Sequence, residues 1–254
     1  MTPRPARKSQ SGFTLIELMV SVAIFLLVCG AVFELMRTTQ NSFRTESQVL
    51  SSFEQARLGL DQIVRDVNDS GYPPQNHFSG AAPATAYAAS PIAWSPNYAP
   101  TTPCQIGTTC VTPGPFDLIL EGDVDNTGVQ WIHYQLVGTT LFRGMAPKAA
   151  GDPVVGPMLP YVLNVMNNAT PAQIAQFQAA YPAMFPGGNP QPLFQFWCDT
   201  QTGPVLCAAG NNSPANVRDV DITLIVMTPN TDAQTNQVHL VELNGRGHRV
   251  NPNQ

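Results

Sequence analysis

The chain has 254 residues and a formal charge of −5, from 12 Lys and Arg against 17 Asp and Glu. That balance excludes nucleic-acid binding through bulk electrostatics, which needs clustered basic side chains. The length suits one ordinary domain with a sizeable core plus an anchor, and leaves little room for two full domains.

The first 12 residues contain Arg4, Arg7 and Lys8 and no acidic residue. Gly12-Phe13-Thr14-Leu15-Ile16-Glu17-Leu18 follows, and the run from Leu18 to Phe33 is apolar and uncharged. At ~1.5 Å per residue, a helix from Phe13 to Phe33 spans roughly the 30 Å hydrocarbon core of a bilayer. The positive charges before it predict an amino terminus held inside and export of the C-terminal bulk. Glu17 is the anomaly, because a carboxylate near the membrane costs about 2.5–3.5 kcal/mol on insertion scales and is rarely kept without a partner. An ordinary secretory signal would be cut after the apolar run, near a small-x-small site. Here the basic leader stops at Gly12 and the helical pattern continues past Phe33.

This stretch closely resembles the prepilin signal of type IV pilins and of the pseudopilins of type II secretion. The resemblance implies a prepilin peptidase that cuts after Gly12 on the cytoplasmic side and methylates the new amino terminus, Phe13. It implies that Glu17 meets the free terminal amine of a neighbouring subunit, so that its charge is neutralised on assembly. It implies an inner-membrane, single-pass chain with a periplasmic head, which then enters a pilus or pseudopilus. The implied partners are other major and minor pilins or pseudopilins, the peptidase and the inner membrane, with no direct nucleic-acid binding. Loss of the leader would take the formal charge to −8.

The expected organisation is a leader at 1–12, a transmembrane half-helix at 13–33, an amphipathic half-helix at 34–71 and a β-rich head at 72–254. No proline occurs between Pro5 and Pro73, which predicts one very long helix. Val49, Leu50, Phe53, Ala56, Leu60, Ile63, Val64 and Val67 recur at three- and four-residue steps, and are expected to face the head. Glu46, Glu54, Arg57, Asp61, Arg65 and Asp66 are expected on the other faces. Asp66 and Asp69 oppose the helix dipole, and nothing in the sequence accounts for them. Ser70-Gly71-Tyr72-Pro73-Pro74 is the stop, with Gly71 expected as a left-handed C-cap. Many major pilins carry a proline near Glu34; this chain has only Gly30 there.

Residues 72–115 hold nine prolines and no Asp, Glu, Lys or Arg, and form a Pro-rich insertion expected to lie irregularly on the surface. Its Tyr72, Tyr87, Trp94 and Tyr98 either dock on the head or a partner, or simply pack. From Phe116 the period becomes two. Strands are expected at Phe116–Glu121, Val129–Leu136 and Thr139–Arg143, the last two joined by a short turn at Val137-Gly138. The segment from Trp131 to Arg143, WIHYQLVGTTLFR, resembles the hairpin of W-type minor pilins and J-type pseudopilins. A short helix is expected at Pro171–Tyr181 with Thr170 as its cap. Further strands are expected at Leu193–Cys198, Val205–Cys207, Val217–Met227 and, at an edge, Val238–Leu243. The fold class is α+β: a long N-terminal helix packed on a mostly antiparallel β-sheet head, which is the pilin fold the resemblance implies.

Cys29 lies in the apolar run, whereas Cys104 with Cys110 and Cys198 with Cys207 form close pairs in the exported part. Such pairs are expected as local disulfides, and their spacings do not match the usual zinc knuckles. Asp123, Asp125 and Thr127 before Gly128 nearly match the opening of a calcium loop, but Tyr134 stands where the bidentate glutamate belongs. A plain hairpin turn is preferred, and no cofactor is expected. Arg246-Gly247-His248-Arg249 is expected to be a solvated turn. No catalytic motif is visible, and the chain is not expected to be an enzyme. The expected function is that of a minor pilin of a type IV pilus that helps to initiate or cap filament assembly. The alternatives are a minor pseudopilin of a type II secretion system and a membrane-tethered enzyme or ligand-binding domain.

Overall fold

The computed structural model describes residues 12–88, 92–93, 114–149, 156–200, 202–208, 216–232 and 237–250. One helix, α1, runs unbroken from Leu15 to Asp69. At ~1.5 Å per residue it is roughly 80 Å long. Its first half carries its apolar side chains outward: Leu15, Ile16, Leu18, Phe25, Leu27 and Phe33 are all exposed. Burial begins at Ser52 and continues through Ala56, Gly59, Leu60, Ile63, Asp66 and Val67.

The head contains two antiparallel sheets. The first has the order β1 (Ile92–Ala93), β2 (Asp117–Gly122), β3 (Gln130–Val137), β4 (Thr140–Pro147) and β5 (Leu159–Val162). The second has the order β7 (Gly203–Leu206), β6 (Phe194–Thr200), β8 (Val217–Met227) and β9 (Leu240–His248). Alternation decides which side chains meet. Leu118 and Leu120 of β2, Ile132, Tyr134 and Leu136 of β3, and Val220, Ile222, Leu224 and Val226 of β8 join the inner face of α1 in a single core. On the other face of β8, Ile225 packs with Leu240, Met166, Phe185 and Ile174 in a smaller cluster. Ile174 comes from the short helix α2 (Pro171–Phe177), which Thr170 and Gln173 begin with a reciprocal capping box.

Several expectations need correction. Leu50 is exposed and Val49 and Phe53 only half-buried, because α1 reaches the head one to two turns later than its apolar pattern begins. Asp66 is not on an outer face; it is buried against the first sheet. Gly71 has the expected positive φ of 83°, but Ser70 before it is extended, and Gly71 N–H donates to the carbonyl of Glu121 instead of closing the helix. The helix end is therefore fixed by the sheet, not by a left-handed cap. The β3–β4 turn falls on Gly138-Thr139, one residue later than expected, with Gly138 at φ 59° supplying the twist that two-residue hairpin loops need. β4 extends to Pro147, and α2 stops at Phe177 instead of Tyr181.

The insertion is not wholly irregular: Ile92-Ala93 pairs with Leu120 and Ile119 as an edge strand. Its Trp94 and Tyr98 lie outside the described residues. Finally, Arg246, Gly247 and His248 are not a turn but the last residues of β9, and β9 itself begins at Leu240. Arg246 stands over the Trp197 ring and pairs with Asp221, while His248 pairs with Asp219. Cross-strand register places these partners opposite one another, a relationship that composition alone does not reveal.

Candidate functional site

The amino-terminal end of α1 is built around Thr14 and Glu17. Thr14 is the extended N-cap residue, and Glu17 occupies the third helical position. The Thr14 amide and hydroxyl both donate to Glu17 Oε2, at 2.9 and 2.8 Å, while the Glu17 amide donates back to Thr14 Oγ1 at 3.4 Å. This capping box satisfies backbone donors that a helix end otherwise leaves open. It also places a carboxylate at the positive end of the helix dipole, where negative charge is favoured. Glu17 thus has a local structural use in addition to any partner in a filament. Thr14 joins the site beyond the expected Gly12, Phe13 and Glu17, and its sequence signal is the T-x-x-E spacing of Thr14-Leu15-Ile16-Glu17.

Beyond Glu17 the helix meets the demands of an apolar solvent. The Ser21 hydroxyl donates to the Glu17 carbonyl at 2.7 Å, so the one hydroxyl early in the span is internally satisfied. Thr38 and Thr39 do the same to Glu34 and Leu35 just past the span. The helix passes Gly30 and Glu34 without a break. It is long and apolar enough near its amino terminus to cross a membrane, and none of that apolar window is buried in the protein. Gly12 and Phe13 precede the helix and are exposed.

The head holds the remaining candidates. Cys198 of β6 and Cys207, just after β7, form a disulfide that closes the base of this edge hairpin. Cys104 and Cys110 lie outside the described residues. Cys29 is a free thiol on α1. In the loop between β2 and β3, Asp125 Oδ1 accepts from the Thr127 amide (3.0 Å), the Thr127 hydroxyl (2.6 Å) and Gln130 Nε2 (2.9 Å). These bonds, Thr127 first, hold its carboxyl below the usual carboxylate range. Asn126 and Gly128 take positive φ around the turn. Asp125 is therefore occupied in shaping the loop, and no group of three metal-binding side chains occurs among the described residues.

An exposed apolar rod that carries an α+β head around its far half agrees with the pilin plan that the sequence resemblance implies. Residues 7–33 match the family model of the prokaryotic N-terminal methylation motif, which supports a type IV pilin-like protein. No curated protein and no solved structure matches the chain.

Proposed function

We propose that this chain is a minor pilin of a type IV pilus, a low-copy structural subunit that helps to initiate or cap the filament. One observation carries the reading: from Leu15 to Phe33 every large apolar side chain faces outward, while the same helix beyond Ser52 is packed into the head. A surface of that kind needs a bilayer first and neighbouring helices afterwards. In this reading a prepilin peptidase cleaves after Gly12 and methylates Phe13, and before assembly the protein is a single-pass inner-membrane protein with a periplasmic head. Its role in the filament is structural. The unbroken helix around Gly30 and Glu34, and the large head with its disulfide, suit a specialised subunit better than a major one that must tile against many copies of itself.

In the filament Glu17 meets the amine of a neighbour's Phe13 in low dielectric. Removal of one partner of such a pair leaves the other charge unpaired, at a cost of ~3–5 kcal/mol. Mass spectrometry of membrane-extracted protein is expected to find a methylated Phe13 at the amino terminus, and Gly12→Val to block cleavage. Glu17→Leu is expected to be cleaved normally and to lose co-purification with other pilins. A mature chain that begins beyond residue 33 overturns the reading. The β3–β4 hairpin resembles that of J-type pseudopilins equally well, so a secretion filament is the second reading. A deletion strain that keeps its pili and loses protein secretion would favour it.

A further inference from the structure

Asp66 lies in the last turn of α1, where a carboxylate opposes the helix dipole and where no basic residue offsets it. It is nevertheless almost fully buried. Its Oδ2 accepts from the Tyr134 hydroxyl at 2.6 Å, from Arg143 Nη2 at 2.8 Å and from Arg143 Nε at 3.3 Å, and its Oδ1 accepts from Gln62 Nε2 at 2.6 Å. Arg143 also donates to the Tyr134 hydroxyl and stands over the Tyr134 ring, whose edge meets Tyr161. Strands β3 and β4 of the first sheet thus converge on one carboxylate of the stem, and β5 joins them through the Tyr134 ring. The second sheet is held differently. There Leu60 and Val64 press on Gly245, and Val67 presses on Gly247, a fit of shapes joined by one neutral hydrogen bond, from the His248 amide to Asn68 Oδ1 at 2.8 Å, and by no charge.

Apolar contact is non-directional, whereas hydrogen bonds to a carboxylate fix both distance and angle. Replacement of a buried ionic group by apolar residues of similar volume is often neutral or stabilising, so stability alone does not account for the charge. We propose that Asp66 is a positioning residue: with Tyr134 and Arg143 it fixes the angle of the first sheet on the stem, while the second sheet is docked by packing and the single Asn68–His248 hydrogen bond. The consequence for assembly rests on the pilin reading, because that angle decides which face of the head a neighbouring subunit meets.

The test uses full-length protein in detergent with Cys29→Ser, spin-labelled through Leu58→Cys on the exposed side of the stem and Val137→Cys at the β3–β4 turn. A second pair, Leu58→Cys with Asn244→Cys, reports on the second sheet. The triple variant Asp66→Leu/Tyr134→Phe/Arg143→Met is expected to melt within about 5 °C of its parent. Its Leu58–Val137 distance distribution is expected to broaden about twofold while the Leu58–Asn244 distribution stays unchanged. A narrow Leu58–Val137 distribution in this variant overturns the proposal, as does equal broadening of both pairs. Arg143→Lys keeps the charge and loses the forked geometry, and is expected to broaden only the first pair. A narrow first pair there overturns the proposal even if the triple variant does not fold. The protein is measured unassembled, so the outcome is independent of whether Gly12 is cleaved.

Discussion

Gly247 lies directly beneath Val67: a Cβ added to the glycine would stand 2.5 Å from Val67 Cγ1 and 2.6 Å from its Cβ. The second distance involves the stiff base of a β-branched side chain, so relief requires the helix itself to move away from β9. Gly247→Ala is therefore expected to destabilise the protein by about 1–3 kcal/mol, and Val67→Ala in the same chain to return part of that loss. Denaturant melts of the two single variants and the double variant in detergent measure the coupling. Additive losses would show that the two residues do not share this contact.

Lys148 and Glu121 form an ion pair with side chains only 2% and 0% exposed. Lys148 Nζ also donates to the Tyr87 carbonyl at 2.8 Å and stands over the Tyr87 ring, so it ties the insertion to the first sheet. Lys148→Met removes one partner of this buried ion pair, and is expected to cost ~3–5 kcal/mol. The double variant Lys148→Met/Glu121→Gln is expected to be more stable than Lys148→Met alone. Limited proteolysis should cut Lys148→Met faster between residues 72 and 93 than it cuts the parent.

The disulfide between Cys198 and Cys207 closes a short loop, with a sequence separation of 9. In the loop-closure model a bridge of this span contributes about 2–3 kcal/mol. Cys198→Ala/Cys207→Ala is expected to lower the melting temperature accordingly and to remove the parent's sensitivity to reductant at this position. Peptide mapping under non-reducing conditions identifies the bridge. Free thiols at both positions in exported protein would refute it.

Asp221 accepts hydrogen bonds from Arg246, on Nε and on Nη2 at 2.9 Å, and from Trp197 Nε1 at 2.7 Å. Arg246 foremost, with help from Trp197, holds its carboxyl below the usual carboxylate range. The folded-state pKa is lower than the unfolded one, so on acidification the unfolded chain binds the proton first. The contribution is present above the unfolded value of about 4 and is lost as pH falls through the folded value. Thermal melts are expected to fall more steeply below about pH 4 for the parent than for Asp221→Asn. Parallel curves would exclude Asp221 from the acid response.

What the sequence alone determined was what near neighbours decide. The apolar span, the long proline-free helix, its end near Ser70 and the strand at Val217–Met227 each depend on local periodicity or on a residue that cannot continue a helix. The capping box of Thr14 and Glu17 is equally local, a T-x-x-E spacing whose role as a cap the structure supplied. Tertiary structure decided the rest, because each remaining feature joins residues far apart in the chain. Asp66 looked like a misplaced surface charge until Tyr134 and Arg143, 68 and 77 residues away, supplied its donors. Arg246 and His248 resembled a solvated turn until β8 set Asp221 and Asp219 opposite them. Gly245 and Gly247 gave no signal of their own, since a missing side chain acquires meaning only when a helix lies against it. Register and close approach are properties of paired surfaces, and no single stretch of sequence contains both partners.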